Sequence, residues 1–317
     1  MSNLFFIFQQ TMLFTIPLLV VALGGMFSER SGIVNVALEG IMTMGAFTSI
    51  LFLNLTGGKL SGQGQLLLAI IISMLTGAIF SLMHAYASIN MKANQVISGT
   101  ALNMFAPAFA IFVARIIRGV QQIEFTNTFH IDKVPVLGNI PILGDLFFKK
   151  TYITTFIGFA ILVLSVFVLY KTRFGLRLRA CGEHPHAADA VGINVSRMQY
   201  AGVIISGALG GLGGLVFVVP NSTNFNATVS GYGFLALAVL IFGQWKPMRI
   251  LYASLFFGLM KAIASTYSGI PFLTGLGIPS YIYKMIPYAA TLIVLIFTSK
   301  HSQAPRACGI PYDKGAR

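Results

Sequence analysis

Acidic side chains are the scarcest chemistry in this sequence, and one of them stands where a carboxylate is expensive. There are eight Asp and Glu in 317 residues, and C-terminal to Asp189 the only one is Asp313. Glu39 lies in "NVALEGIM", in the middle of an apolar run, where an ionised carboxylate costs about 2.5 to 3.5 kcal/mol on insertion scales. Something must offset that cost. The candidates are Lys261 and Lys284, in later apolar runs, and Asn35, one helical turn before Glu39. Glu39 is then either a structural bridge inside a bundle or part of a solute route, for which Asn35, Ser98, Asn103, Ser206, Asn221 and Asn224 are the other candidate lining residues.

No catalytic constellation accompanies it. The sequence holds no H-E-x-x-H, no G-x-S-x-G and no paired carboxylates within its apolar runs. No G-x-x-x-x-G-K-[ST] loop is present either, so any ATP hydrolysis must come from another polypeptide, and no cofactor is expected in this chain. The glycine run "GALGGLGG" has no Lys or acidic companion. Its Gly207/Gly211 and Gly210/Gly214 spacings instead make a small-residue face that lets helices approach closely in lipid. Cys181 and Cys308 have neither metal-ligand spacing nor the pattern of a secreted disulfide scaffold, so free thiols are expected and no metal site.

The elements that carry these residues follow from composition. The chain is 56% hydrophobic and 9% charged, with a mean hydropathy of +0.81, against about 25% charged residues in soluble domains. Runs of about 20 apolar residues, enough to span a hydrocarbon core of ~30 Å, recur throughout. They fall at 4–27, 33–56, 66–90, 96–117, 153–170, 201–220, 232–245, 250–267 and 281–298. The expected fold is an all-α polytopic transmembrane bundle of about nine spans. Eight to ten remain open, because 232–245 is short and separated from its successor by "KPMR". The first run lacks a basic leader and a small-residue cleavage site, so it is expected to be retained.

Orientation follows from the basic residues, which concentrate in short cytoplasmic loops. With the C-terminus inside, thirteen Lys and Arg fall in inner segments and six in outer ones. That assigns an external N-terminus, a cytoplasmic loop at 171–200 and a cytoplasmic tail at 300–317, within one membrane domain covering 1–317. The net charge of +13 is spread over loops without interleaved aromatics, which argues for topology and against a nucleic-acid partner.

Within the loop, Pro185 suits a first helical position and Gly192 a left-handed C-terminal cap, so "PHAADAV" predicts a helix of about two turns. So short a helix cannot stand alone. It docks either on this protein's own helix ends or in a partner's groove.

The surrounding stretch, "GLRLRACGEHPHAADAVGINVSRM", resembles the cytoplasmic coupling segment of bacterial ABC-importer permeases of the simple-sugar and nucleoside class. "ERSGIVNVALEGIMTMGAF" resembles that family's second-span signature, "NQVISGTALNMFA" its D/N-Q-V-I-S-G segment, and "GIPYDKGAR" its ending. The resemblance implies that Gly182, Glu183, His184, Pro185, Ala187, Ala188, Asp189, Gly192 and Arg197 couple the chain to a cytosolic ATPase. His184 stands where the family usually has Asn, a better helix cap, and His186 where it often has a basic residue. Also implied are a second permease subunit, an extracytoplasmic substrate-binding lipoprotein, ATP and magnesium in the ATPase, and a bacterial plasma membrane. The "ERSGIVNVALEG" form of the signature resembles the nucleoside branch, making nucleosides preferred over simple sugars as solute. Phe225, Tyr232 and Trp245 then either stack a base or anchor at the interface. Other readings of the composition are an ion-coupled secondary transporter and a structural membrane subunit. A secondary carrier ordinarily needs acids in its bundle, and only Glu39 is available.

Overall fold

The computed structural model describes residues 2–57, 62–133, 144, 149–269, 279–298 and 303–315. The apolar runs close their hydrogen bonds within each segment, the condition for crossing hydrocarbon. The helices are α1 (Ser2–Arg30), α2 (Leu38–Thr56), α3 (Gln63–Ala85), continued by a π-turn at Tyr86–Asn90, and α4 (Gln95–Arg118). They continue with α5 (Ile153–Lys171), α6 (Arg173–Glu183), α7 (Pro185–Ala190), α8 (Val195–Asn221), α9 (Tyr232–Phe242), α10 (Pro247–Thr266) and α11 (Ser280–Thr298).

Among the described residues, seven of the nine expected spans, α1 to α5 with α8 and α10, are long and apolar enough to cross a membrane. Two expectations change. The run at 232–245 becomes α9, with 11 residues or about 16 Å, half a hydrocarbon core. The run at 33–56 becomes helical only from Leu38, because residues 31–37 are unwound. The last run is α11, with 19 residues.

α8 is the most enclosed of the long helices and packs against α1, α2 and α3. Its glycine face explains this. A Cβ added at Gly77 of α3 would sit 2.8 Å from the Cα of Gly211, so the two helices meet backbone to backbone, as the small-residue spacing predicts. At the end of the bundle away from α7, β1 (Ile123–Glu124) pairs antiparallel with β4 (Asn224–Phe225), Ile123 opposite Phe225. There too β2 (Ile131–Lys133) pairs antiparallel with β3 (Lys149–Thr151). The main apolar core lies among α1, α2, α8 and α9.

Candidate functional site: an unwound connector and a half-length helix

Residues 31–37 enter the bundle as turns around an extended stretch and not as continuous helix, which is tolerated at membrane depth only where neighbouring protein groups satisfy the backbone. Ser28 Oγ begins the task by donating to the Ile33 carbonyl at 2.7 Å. Gln95 Oε1 accepts from the Val34 N–H at 2.7 Å. His84 Nε2 lies 2.9 Å from the Val34 carbonyl, and its Nδ1 lies 3.1 Å from Ser98 Oγ. Asn103 closes the frame: its Nδ2 donates to the Val36 carbonyl at 2.8 Å, and its Oδ1 accepts from the Gly40 N–H at 2.7 Å. Asn35 is fully buried and donates from Nδ2 to Ser206 Oγ at 2.8 Å. Side chains from α1, α3 and α4 thus satisfy the connector's backbone in place of the missing turn of helix, and Ser206 of α8 holds the Asn35 side chain.

The connector delivers Glu39 to the first turn of α2. Leu38 packs against Gly25 and Gly210, well inside α1 and α8, so this helix start lies within the bundle. Glu39 Oε1 accepts from the Gly231 N–H at 2.9 Å and Oε2 from the Gly233 N–H at 2.7 Å. These are the N-cap and second residue of α9, where unpaired N–H groups and the helix dipole favour an anion. The offset for the carboxylate is therefore neither Lys261, Lys284 nor Asn35, but the positive end of the half-length helix. The sequence alone does not disclose this, because Glu39 and Gly231 lie far apart in the chain.

Both ends of α9 are conformationally unusual. Ser230 and Gly231 precede it at φ of 55° and 77°, and Gln244 and Trp245 follow it at 50° and 53°. For residues other than glycine this left-handed region costs roughly 1 to 3 kcal/mol and requires support from the surroundings. At the second end that support is visible. Trp245 Nε1 donates to buried Glu29 at 2.5 Å, and the Trp245 carbonyl accepts from Arg30 Nη2 at 3.1 Å. Arg30 Nη1 also lies 3.5 Å from Glu183 Oε1, linking the α9–α10 turn to the segment that carries α6 and α7.

That segment folds for local reasons. Thr172 caps α6 by accepting from the Gly175 N–H at 3.1 Å. Gly175, Leu178, Cys181 and Gly182 are buried at helical spacing. This helix is not among those expected from the sequence, although the Thr172 cap and the spacing of its buried residues are legible there. Gly182 has to be small, because a Cβ there would collide with the Arg30 carbonyl. α7 begins at Pro185 as predicted, and its cap, His184, makes no side-chain capping bond. Gly192 takes φ +82° at the exit. Ala188 is buried with Cys181 and Val195, Asp189 lies 3.8 Å from Lys314, and His186 faces the Tyr312 ring at 5.1 Å between centroids. Ala187 and Arg197 are exposed. Cys181 and Cys308 are free thiols, and burial pushes Cys181 up to about 11.

The predicted route residues Asn35, Glu39, Ser98 and Asn103 therefore gather around one connector, each bonded to another part of the chain. His84 and Gln95 belong to the same frame and went unnoticed; the available signal was a polar side chain within or just before an apolar run. Phe225, Tyr232 and Trp245 are buried, so none presents a free face to a solute or a lipid headgroup. The open faces lie elsewhere. Ser230, Phe234, Lys261, Tyr288 and Thr291 line a cavity of about 440 Å³ beside the start of α9. There the Lys261 ammonium lies 5.5 Å from the Tyr232 ring centroid and 6.0 Å from that of Tyr288, with no carboxylate partner among the described residues. A second cleft, of about 530 Å³ at the opposite end from α7, is lined by Asn54, Gln65, Glu124, Thr126 and Asn224.

All four motif stretches converge on residues 28–40. The second-span signature supplies the connector, Gln95, Ser98 and Asn103 of "NQVISGTALNMFA" hold it, Glu183 reaches Arg30, and in the tail the Gly309 N–H donates to the Gly32 carbonyl at 3.1 Å. Residues 7–295 match the family described as the permease component of the branched-chain amino acid transport system. The guanosine ABC transporter permease protein NupQ of Bacillus subtilis is 45% identical over 309 residues, covering 97% of this chain and 96% of that protein. The nucleoside ABC transporter permease protein NupC of Lactococcus lactis is 43% identical over 314 residues, covering 99% and 98%. The nucleoside ABC transporter permease protein NupB of the same organism is 26% identical over 308 residues, covering 95% and 82%. No solved structure matches. With the match running through nearly all its helices and through the connector on which its motifs meet, the chain belongs to the permease family of the branched-chain amino acid transport system.

Proposed function

We propose that this chain is a membrane permease subunit of an ABC importer that moves nucleosides into the cell. The solute class rests on the two near full-length relatives, NupQ and NupC, whose names specify guanosine and nucleosides. The chain is not itself an enzyme: ATP and magnesium belong to a separate ATPase, which receives α7. It acts with a second, similar permease subunit, as NupB and NupC in one organism suggest, and with an extracytoplasmic binding lipoprotein. In this reading 1–317 is one membrane domain with about nine spans, α9 counting as a half span. The α7 end and the tail face the cytoplasm of a bacterial plasma membrane.

The observation that supports coupling is the continuous set of contacts from the α7 segment to mid-bundle. Glu183 meets Arg30, Arg30 holds the Trp245 carbonyl, and α9 carries any displacement to Gly231 and Gly233, which grip Glu39. An 11-residue helix flanked by left-handed residues can move as a body while its ends absorb the change, the behaviour expected of hinged elements. Asn35, Glu39, Ser98 and Asn103 serve the route by holding its wall. Lys261, Phe234 and Tyr288 supply the surface a nucleoside meets: aromatic faces for the base and donors for ring nitrogens and hydroxyls.

The test is uptake of labelled guanosine into vesicles holding this chain with its co-purified partners. Uptake that requires ATP and the ATPase is expected. Uptake by the chain alone, driven by an ion gradient, would overturn the proposal.

A further inference from the structure

Residues 303–315 lie across four separate elements at the α7 end. The Gln303 N–H donates to Gln244 Oε1 at 2.8 Å, in the α9–α10 turn. The Ala307 N–H donates to the Gly182 carbonyl at 2.9 Å, ahead of α7, and Gly309 donates to Gly32 in the connector. Asp313 pairs with Lys92 at 2.8 Å, in the loop between α3 and α4. Tyr312 packs on the small cluster of Cys181, Ala188 and Val195 that anchors α7, its ring against His186.

Chain termini are ordinarily the least ordered part of a domain unless something ties them down. The exposed pairs Lys92–Asp313 and Lys314–Asp189 are weak ties, since solvent screens them. The firmer ones are the backbone bonds to Gly182 and Gly32, together with the packing of Tyr312. Gly309 makes its bond at φ +83°, a conformation open to glycine at little cost. These ties solve a problem that α7 has by itself: six residues make too short a helix to hold its own position.

We infer that residues 303–315 form a strap that positions α7, fastening it to the connector, to the α3–α4 loop and to the α9–α10 turn so that displacement of α7 moves all three together. Without the strap, α7 still meets its ATPase, but its motion is absorbed locally. The inference rests on the proposed reading of α7 as the ATPase-docking helix.

The experiment uses the complete transporter in vesicles and measures three quantities: ATPase retained on purification, ATP hydrolysed, and guanosine taken up per ATP. The variants are a chain ended after residue 302, full-length Tyr312→Ala and Tyr312→Phe, and Gly192→Val as a direct perturbation of α7. Truncation and Tyr312→Ala should retain the ATPase and its hydrolysis while uptake per ATP falls about tenfold or more. Tyr312→Phe, which keeps the ring, should restore it. If the truncated chain fails to accumulate, Tyr312→Ala decides. Uptake per ATP within twofold of wild type in the strap variants, with Gly192→Val impaired, overturns the strap and leaves the reading of α7 standing. Wild-type coupling in Gly192→Val as well would overturn the reading of α7. Loss of the ATPase from the strap variants would make the strap a docking surface and refute its positioning role.

Discussion

Replacing Glu39 tests the central geometric claim, that a carboxylate from α2 caps α9 inside the bundle. Its two oxygens accept from Gly231 and Gly233 at 2.9 and 2.7 Å. Hydrogen bonds to a charged group contribute about 1.5 to 3 kcal/mol each, and a buried donor left without a partner costs about 1 to 3. Glu39→Ala removes both acceptors and the favourable interaction with the helix dipole, itself ~0.3 to 2 kcal/mol. Part of the loss is recovered because an expensive carboxylate is no longer held in the bundle, leaving a net cost of about 3 kcal/mol. Glu39→Gln keeps one acceptor oxygen but turns an amide N–H₂ toward an N–H donor, for a net cost of about 2 kcal/mol. At ~2 to 4 °C per kcal/mol, thermal unfolding in detergent should fall by at least about 4 °C for Gln and further for Ala, with uptake reduced in both. Gly233→Ala should behave similarly, because its Cβ would meet the Glu39 backbone and lie 2.9 Å from Oε2. Unchanged melting in Glu39→Ala and Glu39→Gln would refute the cap and return Glu39 to the solute route alone.

Four further outcomes follow from the same geometry. A Cβ at Gly192 would meet no atom within 4 Å, so the cost of Gly192→Val is chiefly conformational, roughly 1 to 2 kcal/mol for a left-handed L-residue; membrane abundance should be normal and ATP-driven uptake lost, measured by blotting and uptake side by side. Trp245→Phe strips buried Glu29 of its indole donor and should lower stability by about 1 to 3 kcal/mol, with part recovered by Glu29→Gln in a double-mutant cycle. Lys261→Met removes an unpaired cation from the bundle, so stability should hold or rise while uptake falls about tenfold; unaltered uptake would place Lys261 outside the route. Cys181 should resist maleimide at pH 7.5 in the folded protein and label on unfolding. Its raised value of about 11 against an ordinary 9.0 means that its protonated form is favoured by folding; that stability is complete below pH ~9 and is lost as pH climbs toward 11.

Much of the architecture was legible in the residues themselves. Backbone hydrogen bonds in a bilayer must be closed within each segment, so apolar runs of the right length become helices whatever surrounds them, and α4, α5, α10 and α11 begin and end within a few residues of expectation. Pro185 and Gly192 marked α7 because both act through their own backbone geometry. The glycine run of α8 announced a close crossing because the absence of side chains is a property of the sequence.

Tertiary structure alone decided what breaks those helices and what Glu39 is for. Residues 33–37 sit in a run as apolar as a span requires, yet they unwind, because His84, Gln95 and Asn103 offer their backbone groups partners that lipid cannot, with Ser98 bonded to the other ring nitrogen of His84. Tyr232–Phe242 reads as a short span and is a half-length helix because its N-terminus stops where a carboxylate from another helix can meet it. Local periodicity records which face of a segment avoids water. A hydrogen bond between residues roughly 190 apart in sequence depends on how the helices cross, and that is set only when the whole bundle packs.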